Sequence, residues 1–384
     1  MDLDIKRVKI VFLIPTLRFG GAELFLLRLV AKICEDYRVV LVVIGEREGL
    51  FIEFEKLNIR VIYLGYENIF YFPLSLISFR RILKVEKPDI LQSFLYLADI
   101  LAGVSSYKLD IRQKIWSLRG TNLARGTEFH KRLIQKIAAL LSNHLPNKII
   151  ACSSQVSNFH IENGYPKERV VVIGNFMPAW TIGNKSNSQF LFKEKPISFS
   201  IGIAARYDIG KGHLALTQCV GEFLEKNSNY IITLRFAGKG CGRVGVLGND
   251  VDSLPGIKDL ISRGMLKIEY YGLLSGLDLP NWFKKLDLYF MSSDSLEGFP
   301  NALAEAVAIG MPAISTPVGS ASDFLPTFRI AVDPSVSRMR QVLESFLNES
   351  LTEKLDVSKI YQAQLLSKFS EDKVIESYKD IWRT

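Results

Sequence analysis

Cysteine and histidine are both scarce in this chain of 384 residues, at four each. The cysteines, Cys34, Cys152, Cys219 and Cys241, are scattered, with no C-x-x-C pair and no pairing spacing. That argues against a disulfide framework and against a zinc site, and it fits a reducing compartment. His130, His144 and His160 read as ordinary surface or partly buried side chains, so no general base is assigned among them. The amino-terminal stretch MDLDIKRVKIVFLIP holds an apolar run of only about six residues, too short for a signal peptide or a membrane span. A cytoplasmic protein is expected. Nucleic acid is not expected as a partner, because no aromatic-basic RNA motif accompanies the basic composition.

What is present is length, charge on one side, and rhythm. The chain can form two domains of roughly 150 to 200 residues each. Residues 1–178 hold 25 Lys and Arg against 17 Asp and Glu, a balance of +8, whereas residues 179–384 hold 23 against 23. A basic half can attract an anionic membrane surface or a phosphorylated acceptor. Short apolar runs alternate with helical stretches throughout: Val8–Ile14, Val39–Ile44, Val61–Leu64, Ile90–Phe94, Lys114–Leu118, Lys148–Cys152 and Val170–Ile173, then Ile197–Ile203, Ile231–Phe236, Lys267–Tyr271, Asp287–Met291 and Ala313–Thr316. This is the mark of parallel, doubly wound sheets, which take ligands at the carboxyl ends of their strands. Arg119, at one such end, suits a bidentate grip on a phosphate or carboxylate, or an ion pair on the surface. The stretch Phe129 to Leu145 is amphipathic, with Phe129, Leu133, Ile134, Ile137, Leu140 and Leu141 on one face. That face is expected to pack on its own sheet, with a membrane surface as the alternative.

Three strand-to-helix turns carry chemistry. Gly20-Gly21 follows the first strand, where a missing Cβ lets a ligand approach the backbone. Arg206 and Lys211 flank a glycine-containing loop after Ile203, and two cations beside a close backbone approach suit a diphosphate. Glu297-Gly298-Phe299-Pro300-Asn301 turns the chain into a helix starting near Asn301, Ala302 and Leu303. The amides of that helix start form an anion site. Glu305 lies eight residues beyond Glu297, about two helical turns inward. Two carboxylates there can accept hydrogen bonds from sugar hydroxyls.

The segment around Glu297 resembles the signature of family 4 retaining glycosyltransferases. Ser293, Glu297, Gly298, Phe299, Asn301, Glu305, Ala306, Ala308, Gly310 and Pro312 fill that signature. Arg206, Lys211 and Gly212 match the same family's G-x-x-x-R-x-x-x-x-K-G element, and Gly20-Gly21-Ala22-Glu23 resembles its amino-terminal G-G-A-E loop. The resemblance implies the GT-B architecture: α/β, two Rossmann-like doubly wound parallel-sheet domains facing a cleft, with a C-terminal helix crossing back to the first. The expected domains are 1–178 for the acceptor, 190–365 for the nucleotide-sugar and 366–384 as the returning helix, with GNKSNSQ (183–189) as linker. By resemblance Arg206 and Lys211 bind the donor diphosphate, Glu297 meets the donor sugar and Glu305 holds the ribose. Gly20, Gly21, Gly298, Phe299, Asn301, Ala302 and Leu303 complete the donor site. The cationic pair does what a metal does elsewhere, so no essential metal or cofactor is expected. The implied reaction moves a sugar, most simply from a UDP-sugar, to a glycan or lipid-linked sugar in surface-polysaccharide assembly.

There are departures from the family pattern. Leu97 stands where related enzymes often have histidine, Phe176 and Pro178 replace a Gly and an Asp, and Ser320 replaces a glycine. A nucleotide-sugar 2-epimerase of the same fold is the alternative, although the acidic residues and histidine it needs are not placed here.

Overall fold

The computed structural model describes residues 7–66, 69–120, 129–181, 197–274, 278–294 and 297–384. Thr121, Asn122, the expected linker 183–189 and the His130 side chain lie outside the described residues. The chain divides into two compact units, Met1–Asn175 with Glu371–Thr384, and Phe176–Ser370.

The first unit contains the strands β1 (Lys9–Ile14), β2 (Arg38–Val43), β3 (Arg60–Tyr63), β4 (Ile90–Phe94), β5 (Gln113–Leu118), β6 (Lys148–Ala151) and β7 (Val170–Val172). They form one sheet in the order β3-β2-β1-β4-β5-β6-β7, parallel throughout. The sequences KIVFLI and RVVLVV of β1 and β2 are buried along almost their whole length. Strands covered by helices on both faces must be apolar on both. On one face Val11, Leu13, Val40, Val42 and Leu91 meet Phe79 and Leu83 of the helix Phe72–Glu86, and Leu101 of the helix Tyr96–Ser105.

The other face is closed by the last helix of the chain, Glu371–Arg383. Its Trp382 is buried, with Nε1 donating to Gln92 Oε1 at 2.8 Å and the ring 6.3 Å from Phe12. Tyr378 packs 5.8 Å from Phe25. Lys379 pairs with Asp36 at 2.9 Å and Lys32 with Glu371 at 2.8 Å at the rim.

One expectation is overturned. The helix Phe129–Ser142 does not pack by its apolar stripe. Leu133, Ile137 and Leu140 are 47%, 40% and 69% exposed, while Gln135, Ala138, Ala139 and Ser142 are buried. Its neighbour, the helix Tyr96–Ser105, presents Gly103, where an added Cβ would lie 2.8 Å from Leu145 Cδ1 and 2.9 Å from Trp116. The place beside Gly103 is taken by Leu145, just past the helix, Ile134 and Leu141 are half-buried, and Leu133, Ile137 and Leu140 are left outside.

The second unit contains β8 (Ile197–Ala204), β9 (Tyr230–Ala237), β10 (Leu266–Gly272), β11 (Leu288–Met291) and β12 (Ala313–Ser315), parallel and in the order β10-β9-β8-β11-β12. Its core joins Ile201, Ile203, Leu234, Phe236, Leu288 and Phe290 to Leu216 and Val220 of the helix His213–Lys226. In each sheet strand order reverses once, between β1 and β4 and between β8 and β11. Crevices at the carboxyl ends of such strand pairs are where doubly wound sheets take ligands. Among the described residues no helix is long and apolar enough to cross a membrane.

Candidate active site

In the second unit the loop after β8 and the loop after β11 meet at the reversal point, because Leu288 pairs with Ile201 and Tyr289 with Gly202. The β8 loop, 205–212, is held from two sides. Tyr207 N–H donates to the Lys239 carbonyl at 2.7 Å, and Gly238, at φ +136°, passes so close that a Cβ would lie 2.0 Å from the Ala205 oxygen. On the other side Asp294 N–H donates to the Gly210 carbonyl at 3.0 Å, and Ser292 Oγ to the Gly212 carbonyl at 3.0 Å. Gly212 itself has φ +73°, and a Cβ there would lie 1.8 Å from the Ser292 oxygen. Only glycine satisfies both conditions.

This docking brings Lys211 to Glu297, 86 residues away in sequence, and their side chains form an ion pair with each about one-fifth exposed. Ser293 Oγ donates to the same Glu297 oxygen at 3.0 Å. Thr316 in turn fixes Ser293, donating from Oγ1 to its carbonyl at 2.5 Å. Arg206 stands exposed two residues beyond β8 and makes no ion pair among the described residues. The helix Asn301–Ala308 follows Pro300, which supplies no side-chain cap, just beyond the turn that carries Glu297. Glu305 is only 3% exposed on that helix. Between the two carboxylates lies Tyr289, whose hydroxyl donates to the Ala204 carbonyl at 3.4 Å. Burial raises the Tyr289 hydroxyl well above the ordinary phenol value, and the charges of Glu297 and Glu305 add to the shift.

Other side chains of the expected site have structural tasks. The Phe299 ring packs 5.1 Å from Phe324 and 5.3 Å from Phe369, and Leu303 is fully buried. At these positions only the backbone is left to meet a ligand. Gly298 is buried, and Asn301 and Ala302 are half-buried at the helix start. Behind the loop His213 is buried, its Nε2 3.4 Å from Cys241 Sγ. Burial, helped by the positive charge of Lys211, lowers His213 to about 4, so it is neutral. Tyr207, Tyr289, Ser293 and Thr316 position the loops, and of these only Ser293 belongs to a motif legible in the sequence. Among the described residues no group of three or more His, Cys, Asp or Glu is placed to hold a metal ion.

The first unit's reversal point is different. Gly20 precedes the helix Gly21–Ile33, and Gly21 is exposed. Glu23 folds back over the loop: a Cβ at Gly20 would lie 2.4 Å from its Oε2. Arg119 is neither an open anion clamp nor a surface ion pair. Its guanidinium lies 4.0 Å from the Phe25 ring centre and donates to Asn175 Oδ1, and to the Tyr378 hydroxyl at 3.3 Å. Stacking and directed donors suit a guanidinium better than an ammonium, so arginine is spent here on packing. At the end of β4, Leu95 has φ 73° and ψ 150°, a region nearly reserved for glycine. Nearby, Tyr96 Oη lies 2.6 Å from His160 Nε2, and Ser93 Oγ donates to Asp99 Oδ1 at 2.6 Å. Burial lowers His160 to about 4, which leaves it neutral, and raises the Asp99 carboxyl well above its usual range.

Comparison with known proteins covers both units. The family described as Glycosyltransferase Family 4 matches residues 19–179, and the family described as Glycosyl transferases group 1 matches residues 198–339. Among solved structures, Anabaena Alr3699/HepE in complex with UDP and glucose is similar over 98% of this chain and 100% of that one, with 18% identity and a TM-score of 0.76. A glycosyltransferase from Rickettsia africae is similar over 98% of both chains, with 16% identity and a TM-score of 0.74. The sucrose-phosphate synthase of Thermosynechococcus elongatus is similar over 98% of both chains, with 12% identity and a TM-score of 0.75. At these identities the likeness establishes the fold. No curated protein matches the chain.

Proposed function

Since the chain belongs to the GT-B glycosyltransferases of family 4 and group 1, we propose that it moves a sugar from a UDP-sugar to a glycan or lipid-linked sugar, with retention at the anomeric carbon. The second unit takes the donor and the first recognises the acceptor. The observation that carries this reading is the meeting of Lys211 with Glu297 beside the uncapped start of the helix Asn301–Ala308. UDP as the nucleotide is supported by the similar Alr3699/HepE, which was solved with UDP, with UDP and glucose, and with UDP-glucose.

In this reading the donor diphosphate replaces Glu297 as the partner of Lys211, and Arg206 supplies the second cation. Their charge and the helix-start amides stabilise the negative charge that grows on the leaving diphosphate, so no metal is required. Glu297, released from Lys211 but still held by Ser293, orients the donor sugar through its hydroxyls. Glu305 accepts hydrogen bonds from the ribose. No side chain is assigned as base: the leaving phosphate takes the acceptor proton as the acceptor attacks from the same face. Gly20 and Gly21 leave the backbone after β1 without a Cβ, where a ligand of the first unit can approach. The setting is surface-polysaccharide assembly at the inner face of a cytoplasmic membrane, with peripheral attachment supported by the +8 balance of residues 1–178.

The test is thermal unfolding with UDP, GDP, ADP and CMP. UDP at a hundred times its dissociation constant stabilises by about 2.7 kcal/mol. We expect a rise of several degrees with UDP alone, abolished in Glu305→Ala and reduced in Glu305→Gln. No rise with any nucleotide overturns the reading.

A further inference from the structure

The stripe left exposed on the helix Phe129–Ser142 is one part of a larger surface. The helices Phe72–Glu86, Tyr96–Ser105 and Phe129–Ser142 lie side by side on one face of the first sheet. Arg80 stitches the first two together, donating from Nη1 to the carbonyls of Ser105 at 2.7 Å and Tyr107 at 2.9 Å. On the first helix Leu74, Ile77, Arg81 and Lys84 recur at helical spacing and are all exposed. They lie opposite the buried Ser75, Phe79 and Leu83. On the third, Leu133, Lys136, Ile137 and Leu140 do the same opposite Gln135, Ala138 and Ala139. Tyr107, 58% exposed, and Lys108 lie just beyond the end of the middle helix.

Charge on this face has one sign. Arg81, Lys84, Lys108, Arg132 and Lys136 are exposed. Among the described residues of the three helices no carboxylate is exposed: Glu86 is buried against Lys9 and Arg60, and Asp99 is buried beside Ser93. An exposed carboxylate, Asp110, lies in the loop before β5, two residues beyond Lys108.

We infer that this three-helix face docks on an anionic lipid bilayer. Its leucine, isoleucine and tyrosine side chains enter the headgroup boundary, and its cations meet lipid phosphates. Apolar insertion alone would suit many partners, but five exposed cations, with no exposed carboxylate among the described residues of the three helices, favour a negative surface. The inference gives a place to the membrane attachment proposed above and rests on that setting.

The experiment is co-sedimentation of the full chain with phosphatidylcholine vesicles, with and without phosphatidylglycerol, at low and high salt. We expect binding to the anionic vesicles at low salt and its loss at high salt. Arg132→Ser with Lys136→Ser should weaken that binding by about 25-fold, at roughly five-fold per cation. Leu133→Glu with Leu140→Glu should weaken it by at least about ten-fold. The UDP-induced rise in melting temperature should be unchanged in both variants, which separates failure of this surface from failure of the donor site. The inference is overturned if the wild-type chain ignores anionic vesicles, if either variant binds them as well as wild type, or if the leucine substitutions dissolve a dimer, which would make a second copy the occupant.

Discussion

The two units share a winding pattern and differ in how they treat polar groups at the point where strand order reverses. In the second, Arg206 is exposed, Lys211 is held by a single carboxylate and a helix start has no cap. In the first, Arg119 is stacked on Phe25 and bonded to Asn175, Glu23 lies over Gly20, and Asp99 and His160 are buried with partners. One edge keeps charge available for an anion, while the other has used its charge on itself. A reversal point is therefore a place where a site can be built, and the side chains decide whether an anion is invited there.

The largest effect should come from removing the available charge. Lys211→Ala should abolish stabilisation by UDP and slow sugar transfer by about 10²–10³-fold. Arg119→Ala, its counterpart in the first unit, should leave the UDP response intact and lower stability by about 1–3 kcal/mol. Steady-state rates with thermal unfolding of both variants check this. An equal loss of UDP binding in the two would erase the distinction between the units.

A smaller contrast concerns glycine. Gly212→Ala combines a positive φ with a backbone oxygen 1.8 Å from the new Cβ, so urea unfolding should show a loss above about 3 kcal/mol. Gly20→Ala meets only the end of the Glu23 side chain, which can swing aside, and should cost less than about 1 kcal/mol.

The smallest effect is one in which the units should agree. His160 in the first and His213 in the second are both lowered to about 4 by burial. The unfolded chain takes up their protons near the ordinary value of about 6.5. Between about pH 6.5 and 4 the unfolded state therefore binds more protons, and stability falls as pH falls. Each histidine contributes at most about 3 kcal/mol, present in full above pH 6.5. Urea unfolding at pH 7 and pH 4.5 measures the loss, and His213→Gln should flatten it for the second unit alone.

Much of the fold is legible in the sequence, because strands buried on both faces announce themselves as apolar runs. Every expected strand is present among the described residues, with no end displaced by more than one position. The cations and glutamates of the second unit are legible as a motif, but the physical link between them is not. Nothing within the loop 205–212 says that Gly212 lies against Ser292, or that Thr316 steadies Ser293 from a third strand end. Such contacts depend on sheet order, which local sequence does not encode. The helix Phe129–Ser142 was misjudged for a different reason. Periodicity reveals that a helix has two faces, and tertiary packing decides which one goes inward. Here Gln135, Ala138 and Ala139 are buried, Leu145 takes the place beside Gly103 and Trp116, and Leu133, Ile137 and Leu140 remain outside.

The last helix has a consequence for the making of the protein. The first sheet precedes the second unit along the chain, but the helix that packs on its second face, with Trp382 and Tyr378, follows that unit. The 195 residues from Phe176 to Ser370 are synthesised in between, which at about 5–20 residues per second is a wait of roughly 10–40 s. For that interval Phe12 and Phe25 lack Trp382 and Tyr378 as neighbours, so the first unit is completed only after the second has been synthesised. A chain cut after Ser370 would keep the second unit whole and leave the first unit without the helix Glu371–Arg383.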